Sequence, residues 1–182
     1  YSRKLSAKSG VGIALKYINS NLAGGTTVGS TTYKAGSAVA ADLAYYHDGK
    51  KPSGSGWAWG AVLSNLGSKI SYTDNADAKD FIPANLGLGL NYTSKFNESN
   101  SISFGIEANK LLVPTPPGDG ATSQDIIDYR NKSVIGSWFS SFGDAPDGFG
   151  EELREFQLSL GAEHWYNNQF ALRAGYFYEN KD

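Results

Sequence analysis

Along much of this chain apolar residues recur at every second position, and that period constrains the fold more than any other feature. Leu86, Leu88, Leu90 and Tyr92 alternate with Gly87, Gly89, Asn91 and Thr93. Ile102, Phe104, Ile106 and Ala108 alternate with Ser103, Gly105, Glu107 and Asn109. The same rhythm runs from Phe156 to Glu163 and from Phe170 to Glu179. A period of two places one set of side chains on each face of a β-strand. One face is apolar with aromatic ends; the other is small, polar or charged. A soluble sandwich would turn the apolar face into a dry core, whereas a transmembrane barrel turns it to lipid and keeps the polar face in the lumen.

Composition narrows the choice. A length of 182 residues suits one domain. A net charge of -2 without a basic run speaks against a nucleic-acid partner. There is no Cys, and the two His, His47 and His164, leave little for a metal site, so no metal or cofactor is expected. No run of residues approaches a spanning helix, and the mean hydropathy of -0.37 does not count against strands that cross a membrane. Twenty-two Gly, 13% aromatics and 19% charged residues lean toward an outer-membrane barrel. The chain begins Tyr1-Ser2-Arg3 without a leader and ends just after a strand, and is read as an internal piece of one barrel domain spanning residues 1–182.

Seven strands are expected: Ser9–Leu22, Ala38–His47, Trp57–Tyr72, Ala84–Phe96, Ser101–Val113, Glu151–Tyr166 and Gln169–Glu179. Residues 97–100 and Asn167-Asn168 form tight turns, whereas 23–37 and 114–150 are long. Short turns at one end and long loops at the other mark an outer-membrane barrel, although 48–56 and 73–83 fit that alternation less cleanly. Trp57, Trp59, Ala61 and Leu63 are odd-numbered and Leu66, Ile70 and Tyr72 even, so a β-bulge near Ser64-Asn65-Leu66 beside Gly67 is expected. In the long extracellular loop 114–150, Val134, Trp138 and Phe142 recur at helical spacing, predicting one or two short helices within 123–142.

Candidate functional groups are few. Glu107, Glu163, Arg173 and Glu179 share the polar face without nucleophile–base spacing, so they read as a lumen network and no catalytic residue is assigned. A turn over Asn167–Gln169 sets Glu163 opposite Arg173 as a lumen ion pair, and Gln157 opposite Glu179. Trp57, Trp59, Tyr72, Tyr92, Phe96, Trp165, Tyr166, Phe170, Tyr176 and Tyr178 read as interfacial girdles, with His164 among them. The loop 114–150 is too apolar for a solvated loop, carrying Ile126, Ile127, Val134, Ile135, Trp138, Phe139 and Phe142. It either plugs the barrel mouth or offers a patch to a partner. The reading adopted is both: Val134, Trp138 and Phe142 face down, and Ile135 and Phe139 face outward. Ile135, Trp138, Phe139 and Phe142 are the candidate partner-binding residues.

Four segments together carry a resemblance: Trp57–Tyr72, Phe81–Gly89, Leu160–Asn167 and Phe170–Glu179. They resemble the PorV family (also called LptO), outer-membrane proteins of the type IX secretion system of Bacteroidetes, similar to FadL transporters. The resemblance implies a FadL-like antiparallel transmembrane β-barrel of about 14 strands, half of them in this chain. It further implies a non-enzymatic protein that binds the C-terminal signal domains of secreted cargo, takes cargo from the translocon barrel subunit and passes it to the attachment complex at the cell surface. Its partners are then the translocon, cargo and outer-membrane lipid. The alternatives are a FadL-like transporter of hydrophobic compounds and a lipid A deacylase.

Overall fold

The computed structural model describes residues 1–22, 24–75, 79–118, 120–144 and 148–180. Twelve strands form: β1 Ser2–Lys4, β2 Ser9–Ser20, β3 Thr27–Val28, β4 Thr31–Thr32, β5 Gly36–Asp48, β6 Gly56–Gly67, β7 Ile70–Ser71, β8 Lys79–Asp80, β9 Asn85–Lys95, β10 Asn100–Leu111, β11 Gln157–Tyr166 and β12 Phe170–Tyr178. Among the described residues three helices lie between β10 and β11: α1 Ser123–Asn131, α2 Val134–Ser140 and α3 Phe149–Arg154. Eight strands make one antiparallel sheet in the order β1-β2-β5-β6-β9-β10-β11-β12, a meander in which each strand pairs with the next long one. The strand pairs β3–β4 and β7–β8 form two small separate sheets. β1 and β12 bound the main sheet, each with one neighbour.

The connections are sorted by end without exception. Residues 5–8, 49–55, 96–99 and 167–169 join strands at one end; 21–35, 68–84 and 112–156 join them at the other. The gaps that fitted the alternation poorly fall into place, because 49–55 joins the short-turn end and 68–84 the long-loop end. Asn167 and Asn168 both take left-handed backbone (φ 51° and 54°), which suits Asn and closes the β11–β12 hairpin.

The register carries the apolar phase across the sheet unbroken. Leu43 faces Leu63, Leu63 faces Leu86, Leu90 faces Ile106, Ile106 faces Leu160, and Leu160 faces Tyr176. This face is exposed: Leu15 is 86% accessible, Leu172 76% and Leu160 51%. Buried apolar residues among those described are few, and four of them (Ala38, Ala40, Ala58 and Ala84) are alanine. An alanine methyl contributes only about 0.8 kcal/mol, against ~1.5–3 kcal/mol for a buried Leu or Phe. The hydrophobic content of this chain is therefore not spent on a dry interior between two sheets.

The expected bulge forms. Ala41 pairs with Leu66 but Leu43 with Leu63, so Ser64 and Asn65 of β6 together face Asp42 of β5. Asn65 takes φ 56°, and the extra residue turns Leu66 to the apolar phase beside Ala41. Gly67 closes the bulge; a Cβ there would lie 2.2 Å from the Val39 carbonyl oxygen.

Four expectations need correction. β6 stops at Gly67 instead of reaching Tyr72; Ile70 and Ser71 pair with β8, and Ile70 packs with Ile82, Ala38 and Ala40, with Tyr72 beside them. Ala38 and Ala40 share the phase of Asp42, so the 68–84 connection folds onto the polar face, and Tyr72 belongs to this cluster, not to a girdle. Trp165 is in phase with Glu163 on the polar face. The strand expected from Glu151 begins at Gln157, because α3 occupies 149–154: Gly148 enters it at φ 78°, and Glu151 and Glu152 favour a helix N-terminus. Finally, Ser2–Lys4 pairs with β2, a strand too short to show a period.

Candidate functional site

The polar face of the sheet is a run of side-chain hydrogen bonds. At the bulge, Lys16 Nζ lies 2.7 Å from Asp42 Oδ2 and donates to Asn65 Oδ1 at 2.9 Å, while the Asn65 N–H donates to Asp42 Oδ1. Further along, Asn85 donates to Asn109, which donates to Glu107. Thr93 shares a hydrogen bond with Ser103. On β11 and β12, Glu163 faces Arg173, whose Nε donates to Glu163 Oε2. The Trp165 indole N–H donates to the other carboxylate oxygen of Glu163, and its ring stacks 5.2 Å from the Arg173 guanidinium. Gln157 donates to Glu179 at 2.5 Å. Each of these groups has a partner on a neighbouring strand or its own, an arrangement that locks register.

Aromatic rings gather on the apolar face near the short turns. Tyr45 and Trp59 lie 5.0 Å apart and Trp57 and Tyr92 4.8 Å apart. His47 joins them through Trp59, and Tyr166 faces Phe170. A serine–histidine contact unseen in the sequence occurs here: Ser9 Oγ meets His47 Nδ1 at 2.9 Å, and the Tyr45 hydroxyl donates to Ser9. Among the described residues no carboxylate contacts the His47 ring, so the group that would orient a base is missing from this pair. His164 lies in the same phase, with Nε2 3.2 Å from Asn100 Oδ1.

The 112–156 connection is a tethered helical unit. Thr122 and Asp125 form a capping box on α1. Hydrogen bonds from the Thr122 hydroxyl and N–H hold the Asp125 carboxyl below the usual carboxylate range. At the other end of α1, Lys69 Nζ donates to the carbonyls of Arg130 (2.5 Å) and Lys132 (2.7 Å) and sits 4.2 Å over the Phe81 ring. Burial pushes the Lys69 ammonium below its ordinary value, with the Lys79 charge adding to the effect. Phe81 packs edge-on against Tyr129, whose phenol is pushed up by burial and then by the Asp80 charge. Arg130 pairs with Asp80 at 3.3 Å. The 68–84 and 112–156 connections are thus joined to one another.

A second anchor is Lys110. It shares the phase of Ile106 and Ala108 yet is 1% exposed. Its ammonium donates to Glu152 at 3.0 Å and to Glu155, and lies near the rings of Phe142 and Phe156. At this end of β10 the apolar-phase position is covered by the long connection. Asp144 completes the cluster: its ligand oxygen and those of Glu152 and Glu155 lie within 4.8 Å of one another. Thr115 donates to Asp144 and Glu155 through its hydroxyl and to Asp144 through its N–H. The ammonium and these donors satisfy the acidic cluster from within the chain. The visible sequence signal was a lysine at an apolar-phase position of a strand; the carboxylates lie 42 and 45 residues away and no local pattern connects them.

On this tether the candidate partner-binding residues separate as follows. Val134 and Trp138 are half-buried, Phe142 is 49% exposed against Lys110, and Ile135 and Phe139 are 62% and 74% exposed. Phe149 and Leu153 of α3, not singled out in the sequence, are exposed as well.

An antiparallel meander with an exposed apolar face, a hydrogen-bonded polar face and end-sorted loops is the build of an outer-membrane β-sheet wall. Residues 1–118 match the family model described as Type IX secretion system protein PorV, and the chain belongs to that family. That family is a component of a secretion system, not a family of enzymes. No curated protein matches the chain.

Proposed function

We propose that this chain is part of the wall and outer surface of a FadL-like outer-membrane β-barrel that carries secreted cargo, recognised by its C-terminal signal domain, from the translocon barrel to the attachment complex. In lipid an unpaired strand edge leaves backbone groups without partners at several kcal/mol each, so the edges of β1 and β12 are closed by further strands of a single barrel domain. Glu163 and Arg173 then form an ion pair in the lumen. Transport of a hydrophobic solute is the second reading: the hollow of about 470 Å³ on the polar face is lined by Tyr46, Ala58 and Trp59 as well as by Lys50, Asn91 and Glu107.

The single observation that carries the proposal is the exposed crest of Ile135 and Phe139, held by the Lys69 and Lys110 anchors. Apolar side chains presented on a fixed support are the form of a protein-docking surface. The test is co-purification of the full-length protein from outer membranes with Ile135→Ser and Phe139→Ser combined. Loss of translocon and cargo chains with unchanged heat-modifiable gel migration is expected. Undiminished co-purification would remove this crest from the interface.

A further inference from the structure

The two ends of the sheet differ in charge. The short-turn end carries Arg3, Lys4, Lys8, Lys50, Lys51 and Lys95 against two carboxylates, Asp48 and Glu98. Of these cations only Lys50 has a carboxylate within ion-pair distance among the described residues, at 3.7 Å from Asp48. At the other end the α1–α3 connection is acidic on balance. The cations are also drawn together. The 5–8 turn lies against the end of β5, with the Asp48 N–H bonded to the Lys8 carbonyl and Lys8 Nζ donating to the Lys50 carbonyl at 3.2 Å. Arg3, Lys4 and Lys8, with Tyr46 and Asp48, line a shallow depression of about 310 Å³; Lys4 faces Gly10 and Gly10 faces Tyr46, so Lys4 belongs to the polar phase and Arg3 to the apolar one.

Depth decides what this patch meets. The aromatic pairs Tyr45–Trp59 and Trp57–Tyr92 sit on the apolar face at the short-turn ends of their strands, and aromatic rings in that position lie at the boundary of hydrocarbon and headgroup. Arg3 shares the apolar phase with Val11, and Val11 faces Tyr45. Lys8 and Lys51 lie in the turns just beyond. Long cationic side chains one turn outside an aromatic belt reach lipid phosphates while their stems cover apolar surface.

We infer that Arg3, Lys8 and Lys51 form a docking site for anionic phospholipid headgroups in the leaflet facing the short turns, giving this rim a lipid preference that the acidic long-loop end lacks. The inference rests on the membrane reading above. Its test uses the full-length protein reconstituted in phosphatidylcholine vesicles, with electron spin resonance of spin-labelled phosphatidylglycerol and spin-labelled phosphatidylcholine reporting their relative association. Wild type should favour phosphatidylglycerol by about threefold or more at low salt, with the preference falling as salt rises. Arg3→Gln, Lys8→Gln and Lys51→Gln combined should bring the ratio close to one without altering heat-modifiable migration. Lys79→Gln with Lys132→Gln, at the opposite end, should leave it unchanged. A wild-type ratio of one, or a preference that survives the triple variant, overturns the inference while the membrane reading stands. A wild-type protein that restrains neither lipid overturns both.

Discussion

The sheet and the 112–156 connection both expose apolar side chains, but they hold them in different ways. In the sheet the exposed Leu, Ile and Phe, Leu111 and Phe177 apart, follow from a register maintained over eight strands, and its polar groups are matched across neighbouring strands at part-exposed positions. In the connection Ile135 and Phe139 protrude from a short helix whose position depends on two lysines, the half-buried Lys69 and the buried Lys110. Exposure along the sheet is a property of its solvent, whereas exposure on α2 is a property of where the helix has been fixed. The sheet is redundant, and the connection hangs on few contacts.

That contrast is sharpest at Lys110. Lys110→Met removes the cation from buried Glu152, and breaking one side of a buried pair costs roughly 3–5 kcal/mol. The connection should loosen, seen as faster proteolysis within 112–156 and lost amide protection in α2 and α3, with β9 and β10 amides still protected. Adding Glu152→Gln and Glu155→Gln should restore much of the loss. If sheet amides open together with the helices, the two regions are one cooperative unit and the comparison breaks.

The matching change in the sheet should be small. Arg173 and Glu163 are both partly exposed, and pairs of this kind contribute below about 1 kcal/mol. Arg173→Ala should therefore shift the urea midpoint of the vesicle-inserted protein only slightly and leave the β11–β12 register intact. A loss comparable to that at Lys110 would show that the sheet, too, rests on single contacts.

The smallest effect belongs to the α1 cap. The Asp125 carboxyl titrates below its ordinary value of 3.8 in the folded state, so its contribution is complete above that value and is lost as pH falls through the lowered one. Acidification through that lowered value should fray the first turn of α1, measured by local amide exchange. Asp125→Asn should remove that acid step. An identical pH profile in the variant would assign the step to another carboxylate.

Short-range periodicity carried what could be read from the residues alone. The alternation at Leu86–Tyr92, Ile102–Ala108 and Phe170–Tyr178 assigned faces, the parity change after Leu63 located the bulge, and Asn167–Gln169 set Glu163 against Arg173. Backbone geometry turns such local patterns directly into structure. What the tertiary structure alone decided was every arrangement that joins distant residues: Lys110 with Glu152 and Glu155, Lys69 with the end of α1, and Ile70 with Ala38 and Ala40. It also reversed the sequence reading of Trp165, whose aromatic character suggested a girdle while its parity sent it to Glu163 and Arg173. A period of two reports which face a side chain occupies, but a buried charge takes its partner from whichever segment the folded chain brings within reach.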